Sequence, residues 1–328
     1  MFRLLLGSAA TGAFLWLFLR QVDLGEAWGE ITSLPGWTLA ASLGLILTNV
    51  FFMTLRWKYL LSGAGYTIRK RKLFSTISVG RAANNFLPAR GGDLLRIESL
   101  REQHVPAFVT AGTLFAERLL DGVVLSVWIL LGAILIGEGG AVLYTGIALS
   151  AGTAVGVFLV VLAARDSEKT ETFIWRMTKW LPPRWHTRAA RAAAHFVEGL
   201  GAFRGRGRVF LVFSTSVAMW LADVAMYYLV GQAFDLDIGV GGYFLLEGVG
   251  NLTLAVPATA AGIGTFDYLT LLAAQGIDVP TDKASAYVLT MHALTVVPIT
   301  LLGAVLVSPA FPRLFRRRRK QEPAEESA

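Results

Sequence analysis

The residues best suited to chemistry stand where so apolar a chain should be greasy. Residues 81–96 read Arg-Ala-Ala-Asn-Asn-Phe-Leu-Pro-Ala-Arg-Gly-Gly-Asp-Leu-Leu-Arg. A proline followed by glycines ends a helix and frees backbone groups, which at membrane depth must face protein, water or ligand. Arg81, Arg90 and Arg96 crowd the bend at Pro88, Gly91 and Gly92, and Asn84 and Asn85 add polar lining. Guanidiniums beside a glycine bend suit a phosphate, which arginine meets bidentately. The plainer reading makes Arg90 and Arg96 basic residues at the membrane mouth, with Asp93 as their local partner.

A second polar cluster, Glu117-Arg118-Leu-Leu-Asp121, falls inside an apolar run. Spacings of three and four put all three charges near one helix face. Each would cost about 2.5–3.5 kcal/mol at mid-membrane, roughly 7–10 kcal/mol together if unpaired. Self-pairing leaves one negative charge, for which Arg81 or Arg90 is the expected partner. The cluster reads either as an ion network stapling helices or as a substrate or proton-coupled site. Asp223, Glu247 and Asp267 are further intramembrane acids, with His292 as a possible partner.

The elements that must position these residues are membrane helices. The 328 residues are 54% hydrophobic and 16% charged, against about 25% charged in soluble domains. Full spans are expected at roughly 2–19, 37–55, 105–136, 141–164, 209–234 and 283–308. Two more apolar segments, 73–101 and 242–277, are broken by Gly, Pro and Asn. The fold class is all-α: a polytopic helical membrane protein with about six full spans and two broken or re-entrant segments. One transmembrane domain is expected over 1–312, followed by a disordered basic and acidic tail at 313–328.

Lys and Arg cluster after the second span, in the loop 165–208 and in the tail, whereas the other side carries mainly acids. By the positive-inside rule both termini are expected on the cytoplasmic side of the cell membrane. The net charge of +7 is thereby explained without nucleic acid. Trp28, Ile31, Leu34 and Trp37 form a stripe suited to the outer interface. Phe173, Ile174, Trp175, Trp180, Trp185 and Phe196 lie among basic residues, as in interfacial helices on anionic lipid.

With no cysteine, thiolate chemistry and disulfides are excluded, and the four scattered histidines suggest no metal site. No HExxH, GxSxG or Walker pattern occurs, so neither a catalytic residue nor a cofactor is expected.

The broken segments resemble each other. Asn85-Phe-Leu-Pro88-Ala-Arg-Gly91-Gly92-Asp93 faces Leu254-Ala-Val-Pro257-Ala-Thr-Ala-Ala-Gly262-Ile-Gly264-Thr-Phe-Asp267. Each is a half-helix, a Pro-Ala, a small-residue bend and an acid, followed by a long span. Their opposite sidedness implies an inverted repeat with halves near 37–136 and 209–308, and such repeats bind ligand between their interrupted helices.

Arg56-Trp57, Asn84-Asn85-Phe-Leu-Pro88, Gly91-Gly92-Asp93 with Arg96, and Glu117-Arg118-x-x-Asp121 resemble the flippase-like transmembrane domain of lysylphosphatidylglycerol synthases. Pro257-x-x-x-x-Gly262-x-Gly264-x-Phe266 resembles that family's second signature, although Asp267 stands where Glu is usual, and Ala260 and Ala261 replace two glycines. The resemblance implies a helical bundle with two re-entrant segments that moves lipids across the bilayer. Relatives carry a soluble aminoacyl transferase or glycosyltransferase, and neither is expected here. The expected activity is translocation or binding of an anionic, modified or polyprenyl-linked lipid. The expected substrate site comprises the first-break and Glu117–Asp121 residues above together with Pro257, Gly262, Gly264 and Asp267. Expected partners are membrane lipids and a separate lipid-modifying enzyme or glycosyltransferase. The alternatives are a lipid-modifying membrane enzyme and a non-transporting partner of a glycosyltransferase.

Overall fold

The structure is a computed structural model that describes residues 15–17, 19–21, 24–87, 90–137, 139–166, 170, 172, 175–180, 182–255 and 260–307. Most of the span expected at 2–19, the tail 313–328, and the prolines Pro88 and Pro257 lie outside the described residues. The chain is a polytopic helical membrane protein, and no strand occurs among the described residues.

Among the described residues the bundle is built from α1 (Leu24–Ser33), α2 (Gly36–Gly63), α3 (Lys70–Asn84), α4 (Gly91–Arg101), α5 (Ala107–Ile136), α6 (Gly140–Arg165), α7 (Pro183–Gly199), α8 (Arg206–Ala233), α9 (Val240–Ala255), α10 (Thr265–Gln275) and α11 (Thr281–Val307). Prolines set several starts, because their fixed φ suits a helix entrance and their missing N–H costs nothing there. Pro35 and Pro106 cap α2 and α5, and Pro280 directly precedes α11. Among the described residues, α2, α5, α6, α8 and α11 are long and apolar enough to span a bilayer.

The helices of the two broken segments are too short to cross about 30 Å of hydrocarbon: at 1.5 Å per residue, α3 rises about 22 Å and α4 about 16 Å. They pack on each other, and α4 leads back into α5. The pair α3–α4 therefore enters and leaves on the face where α2 ends, beside Lys70-Arg71-Lys72. The pair α9–α10 does the same from the opposite face, beside Asp235 and Asp237. Both expected re-entrant segments are thus present, in opposed orientations.

The repeat extends to individual backbone bonds. Gly65 ends α2 with φ 87° and Asp235 ends α8 with φ 49°. The next residue then bonds back to the helix, Tyr66 N–H to Leu61 O at 2.9 Å and Leu236 N–H to Gly231 O at 3.0 Å. After the breaks, His104 and Asp278 share φ 61°, with Val105 N–H to Leu100 O and Val279 N–H to Ala274 O both at 3.1 Å. These are left-handed helix ends closed by a six-to-one bond. Matched residues lie 170 apart before the breaks and 174 apart after them, so the second break is four residues longer.

Helix packing obeys the same exchange. Helix α2 packs on α8 across the centre, α3 packs on α11, and its counterpart α9 packs on α5. The half-helices of each repeat thus rest on the long helix of the other. Among the described residues helix α6 has no counterpart in this scheme, and it presents Tyr144, Val155, Phe158 and Leu159 outward.

Two readings of surface segments change. Trp28 and Trp37 are exposed as expected, but Ile31 and Leu34 pack against the core of the second half. Trp175, Trp180 and Trp185 are exposed around α7, whereas Phe196 turns inward onto Phe115, with ring centroids 5.5 Å apart. It does so because α7 lies against α5 where glycines permit contact: Gly112 meets Phe196 O, and Gly199 meets Val109 O.

Candidate functional site

Described residues of both re-entrant segments line one cavity of about 370 Å³. The first tip contributes Arg81, Asn84, Asn85, Leu87, Arg90 and Asp93, and the second contributes Asn251, Ala261 and Gly262. Helix α5 adds Arg118, Asp121, Gly122 and Leu125; α11 adds Thr295, Val296 and Ile299; α2 and α8 close the wall with Asn49, Met53, Met219, Trp220 and Asp223.

The lining is built twice. Asn49 and Met219 are each the fourteenth residue of their helix, and Met53 and Asp223 the eighteenth. Arg81 and Asn251 are each the twelfth of α3 and α9. Asp121 and Thr295, Gly122 and Val296, and Leu125 and Ile299 match in the same way on α5 and α11. Side chains at matching positions differ in charge, so a symmetric backbone carries an asymmetric site, with Arg81 in one half and Asp223 in the other.

An ion network runs from the lining into the bundle behind it. Asp121 accepts from Arg56 Nη1 at 2.6 Å, Trp220 Nε1 at 3.1 Å and Arg118 Nη1 at 3.3 Å. Arg118 also reaches Asp93 Oδ2 at 3.4 Å. Arg96 pairs with Glu117 at 2.9 Å, both fully buried, and its guanidinium lies 4.1 Å over the Trp57 ring. The expected partner of the surplus negative charge was Arg81 or Arg90; Arg56 and Arg96 fill that role. Helix α2 continues past the expected end at 55, so Arg56 is buried inside the bundle instead of in a basic loop.

Arg81 has a different environment. Its Nη1 donates to Asn49 Oδ1 at 2.9 Å, and among the described residues no carboxylate lies within 4.0 Å of it. Asn49 in turn donates to Met219 O at 3.3 Å, which sets its orientation. Among the described residues Arg81 therefore presents a positive charge to the cavity without a directly paired carboxylate, with Asp223 in the same lining.

The tips are pinned by side chains. Asn84 Oδ1 accepts the Gly92 N–H at 2.8 Å, and Asn85 Nδ2 donates to Thr300 Oγ1 at 2.8 Å on α11. Arg90, the residue before α4, takes φ 56° to turn the chain. Gly80 and Gly250, each the eleventh residue of α3 and α9, leave room for the returning helix: Arg96 packs on the first, Phe266 and Thr270 on the second. At the second tip Asp267 Oδ2 accepts the Gly264 N–H at 2.9 Å, and Asp267 Oδ1 meets His292 Nδ1 at 2.6 Å.

Of the expected site residues, Arg81, Asn84, Asn85, Arg90, Asp93, Arg118, Asp121 and Gly262 line one cavity. Gly91, Gly92, Arg96, Glu117, Gly264 and Asp267 are not among its lining; they support the residues that are. Sequence reasoning left Asn49, Asp223, Asn251 and Trp220 out of the site. Their signal was polar or amphipathic side chains within apolar helices, but nothing local tied them to the breaks.

Residues 4–303 match the lysylphosphatidylglycerol synthase TM region family. The chain is 26% identical to a protein named glycosyltransferase AglD from Haloferax volcanii, over 91% of this chain and 53% of that protein. It therefore spans about half the length of that relative. A UPF0104 membrane protein of Methanocaldococcus jannaschii is 22% identical over 84% of this chain and 85% of its own length. Another, from Methanothermobacter thermautotrophicus, is 26% identical over 70% and 72%. With that match running across nearly the whole of a helical bundle built on two re-entrant tips, the chain belongs to the lysylphosphatidylglycerol synthase transmembrane-region family.

Proposed function

We propose that this protein is a lipid translocase, or flippase, whose cavity receives the headgroup of an anionic, modified or polyprenyl-linked lipid. The observation that carries the reading is the cavity of about 370 Å³ lined by both re-entrant segments. Its size falls in the range of about 300–1,000 Å³ typical of ligand sites. A polar cavity inside spanning helices is expensive to keep without a polar cargo. Arg81 supplies a cation with no carboxylate within 4.0 Å among the described residues, and Arg90 and Arg118 stand nearby in the lining. These residues suit a phosphate, while the acyl or prenyl chains stay in the bilayer beside the bundle. The protein performs no bond chemistry in this scheme. Its basic face is cytoplasmic and its home is the plasma membrane, as the charge asymmetry favours.

The test is reconstitution of the purified chain into vesicles carrying fluorescent phosphatidylglycerol in one leaflet. Protein-dependent exchange between leaflets, faster for anionic than for zwitterionic lipid, supports the reading; no exchange of any lipid refutes it. A second reading has one observation behind it, the likeness to a protein named as a glycosyltransferase. In that reading the bundle serves a glycosyltransferase without moving lipid. Glycosyl transfer that depends on this chain, in vesicles that show no lipid exchange, would favour it.

A further inference from the structure

The two halves use different chemistry at one pair of matching positions. Asp93 and Asp267 are each the third residue of a returning helix, α4 and α10. Arg118 and His292 are each the twelfth residue of the long helix that follows, α5 and α11. Arg118 Nη2 lies 3.4 Å from Asp93 Oδ2, and His292 Nδ1 lies 2.6 Å from Asp267 Oδ1. The same strut from returning helix to long helix thus occurs twice. In the first half its cation is a guanidinium, which stays charged at every physiological pH. In the second it is an imidazole, the side chain that gains and loses a proton near neutral pH.

The hydrogen bonds around His292 count its protons. Nε2 lies 3.1 Å from Ala261 O, and a carbonyl oxygen only accepts, so Nε2 carries hydrogen. Nδ1 lies 2.6 Å from Asp267 Oδ1, and this contact is a bond only with a second proton between the two atoms. The pair therefore holds two protons when both bonds are made. Without one of them, a single N–H faces two acceptors, and one bond is lost. Both bonds fasten the second tip: one ends on Ala261, held at φ 54°, and the other on the acid that caps Gly264. Ala261 and Gly262 wall the cavity, as do Thr295 and Val296, one turn along α11 from His292.

Among the described residues, the charged and titratable groups around this part of α11 include Asp267 and Tyr268 from α10, Arg81 from α3, Asp223 and Tyr227 from α8, Glu247 from α9 and Tyr287 from α11 itself. Helices α1 and α2 present Ile31, Leu34, Leu45 and Ile46. On α11 itself, Asp282 and Lys283 stand in the first turn, away from the cavity.

We propose that Asp267 and His292 form a proton-binding site, and that binding and release of one proton there fasten and free the second re-entrant tip, coupling lipid movement to a proton gradient. The coupling rests on the translocase reading; the proton site does not. On release, the proton shared between Nδ1 and Oδ1 passes to water; on binding, it returns from water. No other bond changes, and the first tip, braced by Arg118, stays fastened throughout.

The chain contains no cysteine, so a thiol placed at Ile263, 40% exposed beside the latch, reports on the tip alone. Maleimide labelling of the full-length Ile263→Cys protein in vesicles is followed from about pH 5.5 to about pH 8.5, spanning imidazole titration. Rates are corrected for thiolate content against the denatured chain. The expected result is a roughly three- to tenfold rise in labelling as pH increases, the range set by losing one hydrogen bond. Adding His292→Arg or His292→Gln is expected to flatten that profile. An unflattened rise in both variants, or no rise without them, overturns the proton site. In parallel, an imposed pH gradient should accelerate leaflet exchange of fluorescent phosphatidylglycerol in the unmodified protein and leave its rate unchanged in His292→Arg. If the tip responds to pH but no lipid ever moves, the translocase reading falls and the proton site stands. If lipid moves and the tip ignores pH, the proton site falls and the translocase reading stands.

Discussion

Arg56 Nη1 lies 2.6 Å from Asp121 Oδ1, joining α2 to α5 through a fully buried guanidinium. Asp121 also receives Trp220 from α8 and Arg118 from its own helix, so one carboxylate in the cavity wall ties three helices together. Removing one partner of such a pair strands the other charge at a cost of about 3–5 kcal/mol. Arg56→Met and Asp121→Asn are each expected to lower the Tm in detergent by several degrees. The combined Arg56→Met/Asp121→Leu variant should lose less than the sum of the single variants containing those changes, because no charge is left unpaired. A thermal-unfolding cycle checks this, and strict additivity would count against the coupling.

The close approach of α4 to α3 depends on a missing methyl group. A Cβ at Gly92 would meet Gly80 O and the Asn84 side chain, whereas one at Gly44 meets nothing within 4 Å. Gly92→Ala is expected to destabilise the protein by about 1–3 kcal/mol through overpacking. Gly44→Ala, in the interior of α2, should be neutral or stabilising by up to about 1 kcal/mol. Equal effects in a denaturation series would show that this contact does not constrain the break.

The first tip is held to the opposite half by Asn85, whose Nδ2 donates to Thr300 Oγ1 at 2.8 Å and to Val296 O at 3.3 Å. A cycle of Asn85→Ala and Thr300→Val should show a coupling of about 1 kcal/mol, as for one neutral hydrogen bond. Because the chain lacks cysteine, Phe86→Cys, at a residue 69% exposed, can follow the same release by labelling. Each of the two variants should raise the labelling rate, and their combination should add little.

The cavity arginines are expected to act on cargo more than on folding. A hydrogen bond to a charged group contributes about 1.5–3 kcal/mol, so Arg81→Ala should slow exchange of anionic lipid by roughly ten- to a hundredfold. Its Tm should change little, since Arg81 has no ion pair within 4.0 Å among the described residues. Arg118→Ala should slow exchange too but also cost stability, because it bridges Asp93 and Asp121. Unchanged exchange in a folded Arg81→Ala protein would remove this residue from the site.

Much of the architecture was legible in the chain itself. Runs of apolar residues marked the spans, and Pro and Gly at 88–92 and 257–264 marked the breaks. Their likeness pointed to an inverted repeat. What stayed hidden was its register. The two breaks differ by four residues, and residue types at matching positions differ, as Arg81 does from Asn251 and Arg118 from His292. Helix starts and left-handed helix ends reveal the register because backbone geometry is kept where side chains are not.

The sequence by itself determined the solvent this protein folds in, the depth at which its helices are interrupted, and the presence of charges that demand partners. Those are local properties, set by hydropathy, by proline and glycine stereochemistry, and by helical period. Only the tertiary structure decided which guanidinium answers which carboxylate. Arg56 and Arg96 lie closer to the buried acids than the cavity-facing Arg81, because the rotation and crossing of α2, α4 and α5 aim them inward. Arg81 is thereby left facing the cavity, and His292 is set against Asp267 across two helices that are separate in sequence. Ion pairing at a few ångströms depends on packing between distant segments, and no periodicity within one segment encodes it.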